Sequence, residues 1–125
     1  WRSDIRAALS SVRPPIESPL DCPLSLSVAF VMPRPKSHHR SNGDLKPNAP
    51  LYCDRKPDAT KMLRAVEDAL NAVLWTDDAR IVEQHVSKMY GDKPGALVQV
   101  ETMMEIATNP VRYAPSRQDS FSIFK

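Results

Sequence analysis

Proline most narrows what this chain can fold into: it has 12 prolines and only 3 glycines, where average usage is about 5% and about 7%. Proline locks φ and carries no N–H, so helix interiors and central strands exclude it. Ordered elements are therefore expected in the proline-free stretches. From Trp1 to Val12, the apolar residues Ile5, Ala8, Leu9 and Val12 fall at helical spacing and predict an amphipathic helix. Pro14, Pro15, Pro19 and Pro23 then predict a stiff, extended connection. From Leu24 to Met32, Leu24, Leu26, Val28, Phe30 and Met32 alternate with Ser25, Ser27, Ala29 and Val31, the period of a strand. The polar face fades toward its end, which predicts cover on both faces there.

Residues 33–57 hold Pro33, Pro35, Pro47, Pro50 and Pro57, together with Gly43, Asn42 and Asn48, and read as a long loop. Loops of that length are uncommon inside a domain and are usually functional or disordered. A helix is expected to open at Asp58, just after Pro57, with Asp58 or Thr60 as N-cap and Met62, Leu63, Val66, Ala69, Leu70 and Val73 on one face. Ile81 to Tyr90 reads as a strand, Gly91-Asp92-Lys93-Pro94 as a turn, and Ala96 to Ile106 as a returning strand, so the two predict a β-hairpin. The polar tail after Ala107 either docks through Tyr113, Phe121 and Phe124 or stays mobile. The expected organisation is a single domain over 1–106, containing the basic loop 33–57, and a C-terminal tail over 107–125. The expected fold class is α/β of the α+β kind, a small mixed β-sheet packed against helices.

A chain of 125 residues, 42% hydrophobic and 26% charged, suits one globular domain. At this size, folding buries roughly two-thirds of the unfolded surface, enough for a core without staples. Cys22 and Cys53 lie in no Cys-x-x-Cys spacing and are expected to be reduced thiols, not metal ligands. No apolar run approaches the roughly 18 residues of a membrane span and no signal-peptide pattern opens the chain, so a soluble cytoplasmic protein with no membrane partner is expected. The first residue is Trp1 and not methionine, so a preceding segment is expected as well.

Charge is distributed unevenly. Between Pro33 and Arg64 there are eight basic residues, Arg34, Lys36, Arg40, Lys46, Arg55, Lys56, Lys61 and Arg64, against Asp44, Asp54 and Asp58, a net +5 in a chain whose total is +2. Such a loop is most often a solvated one. The functional reading is a phosphodiester partner held by Arg34, Lys36, Arg40, Lys46, Arg55 and Lys56, with Tyr52, His38 and His39 assisting by stacking or hydrogen bonding. Asp77-Asp78, just after Trp75, is either a solvated turn or a pair of hard oxygen ligands for a cation such as Mg²⁺. Asp58 is most simply an N-cap. With Lys61 and Arg64 one turn further along the helix, it also suits a metal–phosphate site in which the cations offset phosphate charge. His85 reads as an ordinary strand residue, and Met62, Met89, Met103 and Met104 as core filling. No Gly-rich phosphate loop, Ser/His/Asp order or zinc-finger spacing occurs, which argues against NTPase, triad-hydrolase and zinc-module classes.

The string Lys56-Pro57-Asp58-x-x-Lys61-x-x-Arg64-Ala65-x-x-Asp68-Ala69-Leu70, followed by Trp75-x-Asp77-Asp78-Ala79-x-Ile81-Val82, resembles the signature of the RusA family of Holliday-junction resolvases. The resemblance covers roughly Leu24 to Ile106. It implies a small endodeoxyribonuclease of the kind common in phages and prophages, homodimeric and mixed α/β in fold. It also implies Mg²⁺ as cofactor, with Mn²⁺ as a substitute, and paired nicks in four-way DNA in recombination and repair. By that resemblance Asp58 and Asp78 are catalytic and hold the metal with Asp77 auxiliary, and Arg64 and Lys61 stabilise charge on the reacting phosphate. Arg64 stands where the family has lysine, keeping the charge but as a planar fork. Asp68 belongs to the Asp-Ala-Leu stretch. The departure is Thr60, where the family pattern Asp-x-Asp has its second aspartate. That exchange removes one negative charge and two ligand oxygens. Two readings follow: a Mg²⁺-dependent resolvase weakened or inactivated at Thr60, or a related protein that binds branched DNA without cleaving it.

Overall fold

The computed structural model describes residues 18–103 and, as backbone, the strand at 117–124. The helix expected over 1–12 and the docking residue Tyr113 lie outside the described residues. The alternating run Leu24–Met32 forms β1, as its period predicts. The basic segment that follows holds only one short 3₁₀ turn, Lys36–His38, before α1, Ala59–Leu70. A second 3₁₀ turn, Asp78–Arg80, leads into β2, Ile81–Tyr90, and the chain continues through β3, Gly95–Met103, and β4, Arg117–Phe124. The sheet order is β2-β1-β3-β4, with β1 parallel to β2 and antiparallel to β3. This is a small mixed sheet with one α-helix among the described residues, a single α+β domain.

The expected hairpin between Ile81–Tyr90 and the strand after it does not form, because β1 lies between the two. A hairpin would have left β1 at an edge, with a row of unpaired backbone groups on the most apolar strand of the chain. Instead β1 takes a partner on each side, and residues 91–94 cross over its C-terminal end. Four extended residues reach about 13 Å, more than the roughly 9.6 Å of two strand spacings. The crossing is close: Gly91 N donates to Met32 O at 3.1 Å. A Cβ at Gly91 would stand 2.6 Å from Val31 Cγ1, so a side chain there forces the Val31 methyl to move.

One face of the sheet carries Leu24, Leu26, Val28 and Phe30 of β1 and Ala96, Val98 and Val100 of β3, packed against Leu63, Val66, Ala69 and Leu70 of α1. Leu63, Val66 and Ala69 are three apart and Leu70 is four from Val66, which is why a single apolar stripe suffices to dock the helix. Each fully buried leucine or valine contributes about 1.5–3 kcal/mol of transfer free energy. The helix stops at Leu70, short of the expected Val73, which is 36% exposed. The stop is made by Ala72 in the left-handed region at φ 62°, with Val73 N and Leu74 N both donating to Leu70 O.

Candidate active site

The Asp77-Asp78 turn is built on two buried anchors, Leu74 and Trp75. Leu20 N donates to Leu74 O at 2.8 Å and Thr76 N to Leu20 O at 2.9 Å, which ties the turn to the segment before β1. Asp21 strengthens that tie, accepting from Arg80 Nε at 2.7 Å and Thr76 Oγ1 at 2.8 Å. The Arg80 hydrogen bond, then that of Thr76, and then the Arg80 charge hold the Asp21 carboxyl below the usual carboxylate range. Within the turn, Asp77 caps the 3₁₀ helix by accepting from Ala79 N at 3.3 Å. Asp78 is set differently. The fully buried Trp75 donates its indole N–H to Asp78 Oδ1 at 2.8 Å, and Asp78 N donates to Asn71 Oδ1 at 3.1 Å. A half-buried carboxylate fixed at one oxygen by a rigid ring keeps its second oxygen for a ligand. No hydrogen bond among the described residues engages Asp78 Oδ2.

At the other end of α1, Asp58 occupies the N-cap position with extended backbone, yet its side chain makes no capping hydrogen bond. Its carboxylate faces Lys61 Nζ at 3.7 Å. Thr60 is exposed in the first turn. Arg64 lies 3.9 Å from Asp68 Oδ1 in a largely exposed pair, the kind of contact that is worth little and exchanges readily for a phosphate. Asp58 and Asp78 do not meet within the chain: they stand at opposite ends of a helix of 12 residues, about 18 Å along its axis.

Glu67 belongs to the Asp78 end and carries no motif. It accepts a hydrogen bond from Gln84 Nε2 of β2. Burial, and then the charge of Asp78, push its carboxyl above the usual value. Its one legible signal is position: Glu67 and Asn71 are four apart on one helix face, and Asn71 holds Asp78.

The basic loop is tied to β2. Tyr90 N donates to Leu51 O at 2.9 Å and Cys53 N to Lys88 O at 3.1 Å. Lys88 Nζ donates to the carbonyls of Arg55 and Pro57, so this lysine, outside the basic segment, clamps the loop's end beside Asp58. Arg34 lies 5.3 Å over the Tyr90 ring and donates to Pro50 O at 2.8 Å, while His38 meets the same ring edge-on at 4.8 Å. Lys36, Arg40, Lys46, Arg55 and Lys56 project into solvent. Arg55 pairs with the equally exposed Asp54, at 3.5 Å. Cys53 is buried, Cys22 is half-buried, and neither is in a disulfide.

The family model described as Endodeoxyribonuclease RusA matches residues 1–101. This chain belongs to the RusA endodeoxyribonuclease family. It is also similar to the uncharacterized protein YqaN of Bacillus subtilis (strain 168), with 32% identity over 80 residues, covering 62% of this chain and 56% of that protein. The chain thus spans just over half the length of this curated relative. No solved structure matches it.

RusA-family membership raises the question of a divalent metal, and the donor set of the described residues does not by itself supply a cage for it. Among the described residues no group of three or more His, Cys, Asp or Glu side chains could hold an ion. Asp78 has Glu67 beside it at one end of α1, while Asp58 has a lysine beside it at the other. Among the described residues no helix is long and apolar enough to cross a membrane.

Proposed function

We propose that this RusA-family chain is a structure-selective endodeoxyribonuclease that resolves four-way DNA junctions by paired symmetric nicks, at a rate reduced by threonine at position 60. The observation that carries the reading is the Asp78 carboxylate, held by the indole of a buried tryptophan with one oxygen left for a ligand, in a chain of this family. Mg²⁺ is the proposed cofactor, with Mn²⁺ as a substitute, and it would supply Lewis acidity at the scissile phosphate. Mg²⁺ is commonly held by one or two carboxylates together with substrate phosphates, so its binding here is proposed to depend on DNA. Asp58 and Asp78 are the proposed ligands, with Asp77 auxiliary. Lys61 and Arg64 are proposed to offset the charge that develops on the phosphate, and Arg34, Lys36, Arg40, Lys46, Arg55 and Lys56 to track the backbone of the arms.

A homodimer follows from two considerations. Two symmetric nicks need two sites, and a two-fold protein matches a two-fold junction. Asp58 and Asp78, separated within one chain, can also be brought together when α1 of one protomer faces α1 of its partner in the opposite direction.

Thr60 favours a second reading, a protein that binds branched DNA without cutting it, since a hydroxyl there replaces a carboxylate of the family pattern. One assay separates the two. A labelled four-way junction is incubated with this chain and with its Thr60→Asp variant, with and without Mg²⁺. Nicking by the unaltered chain removes the binding-only reading. Nicking confined to Thr60→Asp removes the claim of activity.

A further inference from the structure

Tyr52 is 64% exposed, the most exposed of the large apolar residues described, and Leu51 beside it is 55% exposed. They do not hang on a slack loop. Residues 51–53 pair with the outer edge of β2, where Tyr52 bridges Met89 and the backbone bonds of Leu51 and Cys53 fix the neighbours on either side. Successive residues of an extended segment point to opposite sides. Cys53 points inward, 8% exposed, and so Tyr52 is turned outward. Arg34 holds the carbonyl of Pro50, two residues earlier, and Lys88 holds those of Arg55 and Pro57 afterwards. The Tyr52 ring therefore stands on a backbone pinned at both ends, and no described residue partners its hydroxyl.

The surroundings select the occupant. Residues 33–57 carry Arg34, Lys36, Arg40, Lys46, Arg55 and Lys56 against Asp44 and Asp54, a net +4. An exposed aromatic face amid cations matches nucleic acid that presents an unstacked base face, because cations take the phosphates and the ring takes the base face. Paired, stacked bases in duplex DNA offer no such face. The position is also right for the branch point, since Lys88 ties the next turn of this loop to Pro57, immediately before Asp58.

We propose that Tyr52 is a stacking platform for an unstacked nucleobase face at the branch point, and that it, more than the loop cations, distinguishes branched from linear DNA. The proposal rests on the DNA-binding reading above. Loss of one base–aromatic stack weakens binding by about tenfold. Loss of one phosphate contact weakens branched and linear DNA alike and lowers the salt slope by about one.

The experiment uses the full chain and a four-way junction carrying 2-aminopurine at the branch point, with a linear duplex of the same arms as control. Dissociation constants and 2-aminopurine emission are read for the unaltered chain, Tyr52→Ala, Tyr52→Phe and Arg55→Ala. Tyr52→Ala is expected to lose about tenfold in junction affinity and the stacking-dependent change in emission, with duplex affinity within about twofold. Tyr52→Phe is expected to keep both, and Arg55→Ala to weaken both DNAs. Equal losses on junction and duplex in Tyr52→Ala, or none, overturn the platform while the DNA-binding reading stands. If the unaltered chain shows no preference for the junction, both fall. A change of oligomeric state in Tyr52→Ala by sedimentation, with junction preference intact, would show instead that the ring contacts a second copy of this chain and would overturn the proposal.

Discussion

Replacing Trp75 with phenylalanine isolates the bond that fixes Asp78. The indole is fully buried and donates to Asp78 Oδ1 at 2.8 Å. Two things are lost. Hydrogen bonds to charged acceptors contribute about 1.5–3 kcal/mol, and because Asp78 is only half-buried, water replaces part of this one, which puts the loss near 1.5 kcal/mol. The smaller ring also leaves a void. Full truncation of a buried Trp or Phe costs roughly 3–5 kcal/mol, so the partial truncation costs about 1.5 kcal/mol. The sum, about 3 kcal/mol, is a large share of an ordinary domain's stability, and it lowers Tm by about 12 °C at roughly 4 °C per kcal/mol for this size. Urea denaturation of Trp75→Phe, Asp78→Ala and the double variant separates the two losses, with a coupling of about 1.5 kcal/mol expected. In folded Trp75→Phe, junction affinity should be unchanged while cleavage falls at least about tenfold, as the carboxylate loses its orientation. A coupling below about 0.5 kcal/mol, or cleavage within twofold of the unaltered chain, would refute the claim that the indole positions Asp78.

Gly91→Ala should destabilise the fold by about 1–3 kcal/mol, because its Cβ meets Val31 Cγ1 at 2.6 Å. An unchanged urea midpoint would contradict the crossing of 91–94 over β1. Ala72→Gly should raise stability by about 0.5–1 kcal/mol, since φ 62° costs alanine strain that glycine does not carry; a lower Tm would count against it. Stability should also respond to acid in two opposed ways. Asp21, depressed in the folded state, stabilises above its ordinary value of 3.8, and that contribution is lost as pH falls through its folded value. Glu67, raised by burial and then by Asp78, costs stability at neutral pH, and the cost is relieved as pH falls through its raised value toward 4.5. Glu67→Gln should therefore raise Tm at pH 7 by more than at pH 4, and an equal shift at both would show that the carboxylate's charge is not the cause.

The elements that depend on local period were legible in the sequence. Leu24–Met32 alternates and is a strand, and the stripe Leu63, Val66, Ala69, Leu70 is a helix that opens after Pro57. What escaped was non-local. Gly91-Asp92-Lys93-Pro94 has the composition of a tight turn, and only the need of β1 for two neighbours reveals it as a crossing. The helix end escaped because an alanine, not a glycine, takes the left-handed position at 72. In the site, Asp77-Asp78 and Asp58 stood out by their spacing, but spacing says nothing of the roughly 18 Å that α1 puts between its ends. Glu67 and Lys88 were hidden because each acts through a contact made by folding: Glu67 with Gln84, and Lys88 with the carbonyls of Arg55 and Pro57. The strand at Arg117–Phe124, in a segment whose docking the sequence left open, pairs with β3 through backbone bonds that side-chain patterning does not announce.

Mapping nicks on a four-way junction labelled in turn on each strand, with Mg²⁺, using the unaltered chain and Asp78→Asn, tests the proposed function most directly. The expected result is a pair of symmetric nicks in opposing strands for the unaltered chain. Asp78→Asn should bind the junction with unchanged affinity and cut at least about a hundredfold more slowly. Equal cutting by Asp78→Asn, or nicks that appear as readily in linear duplex, would contradict it.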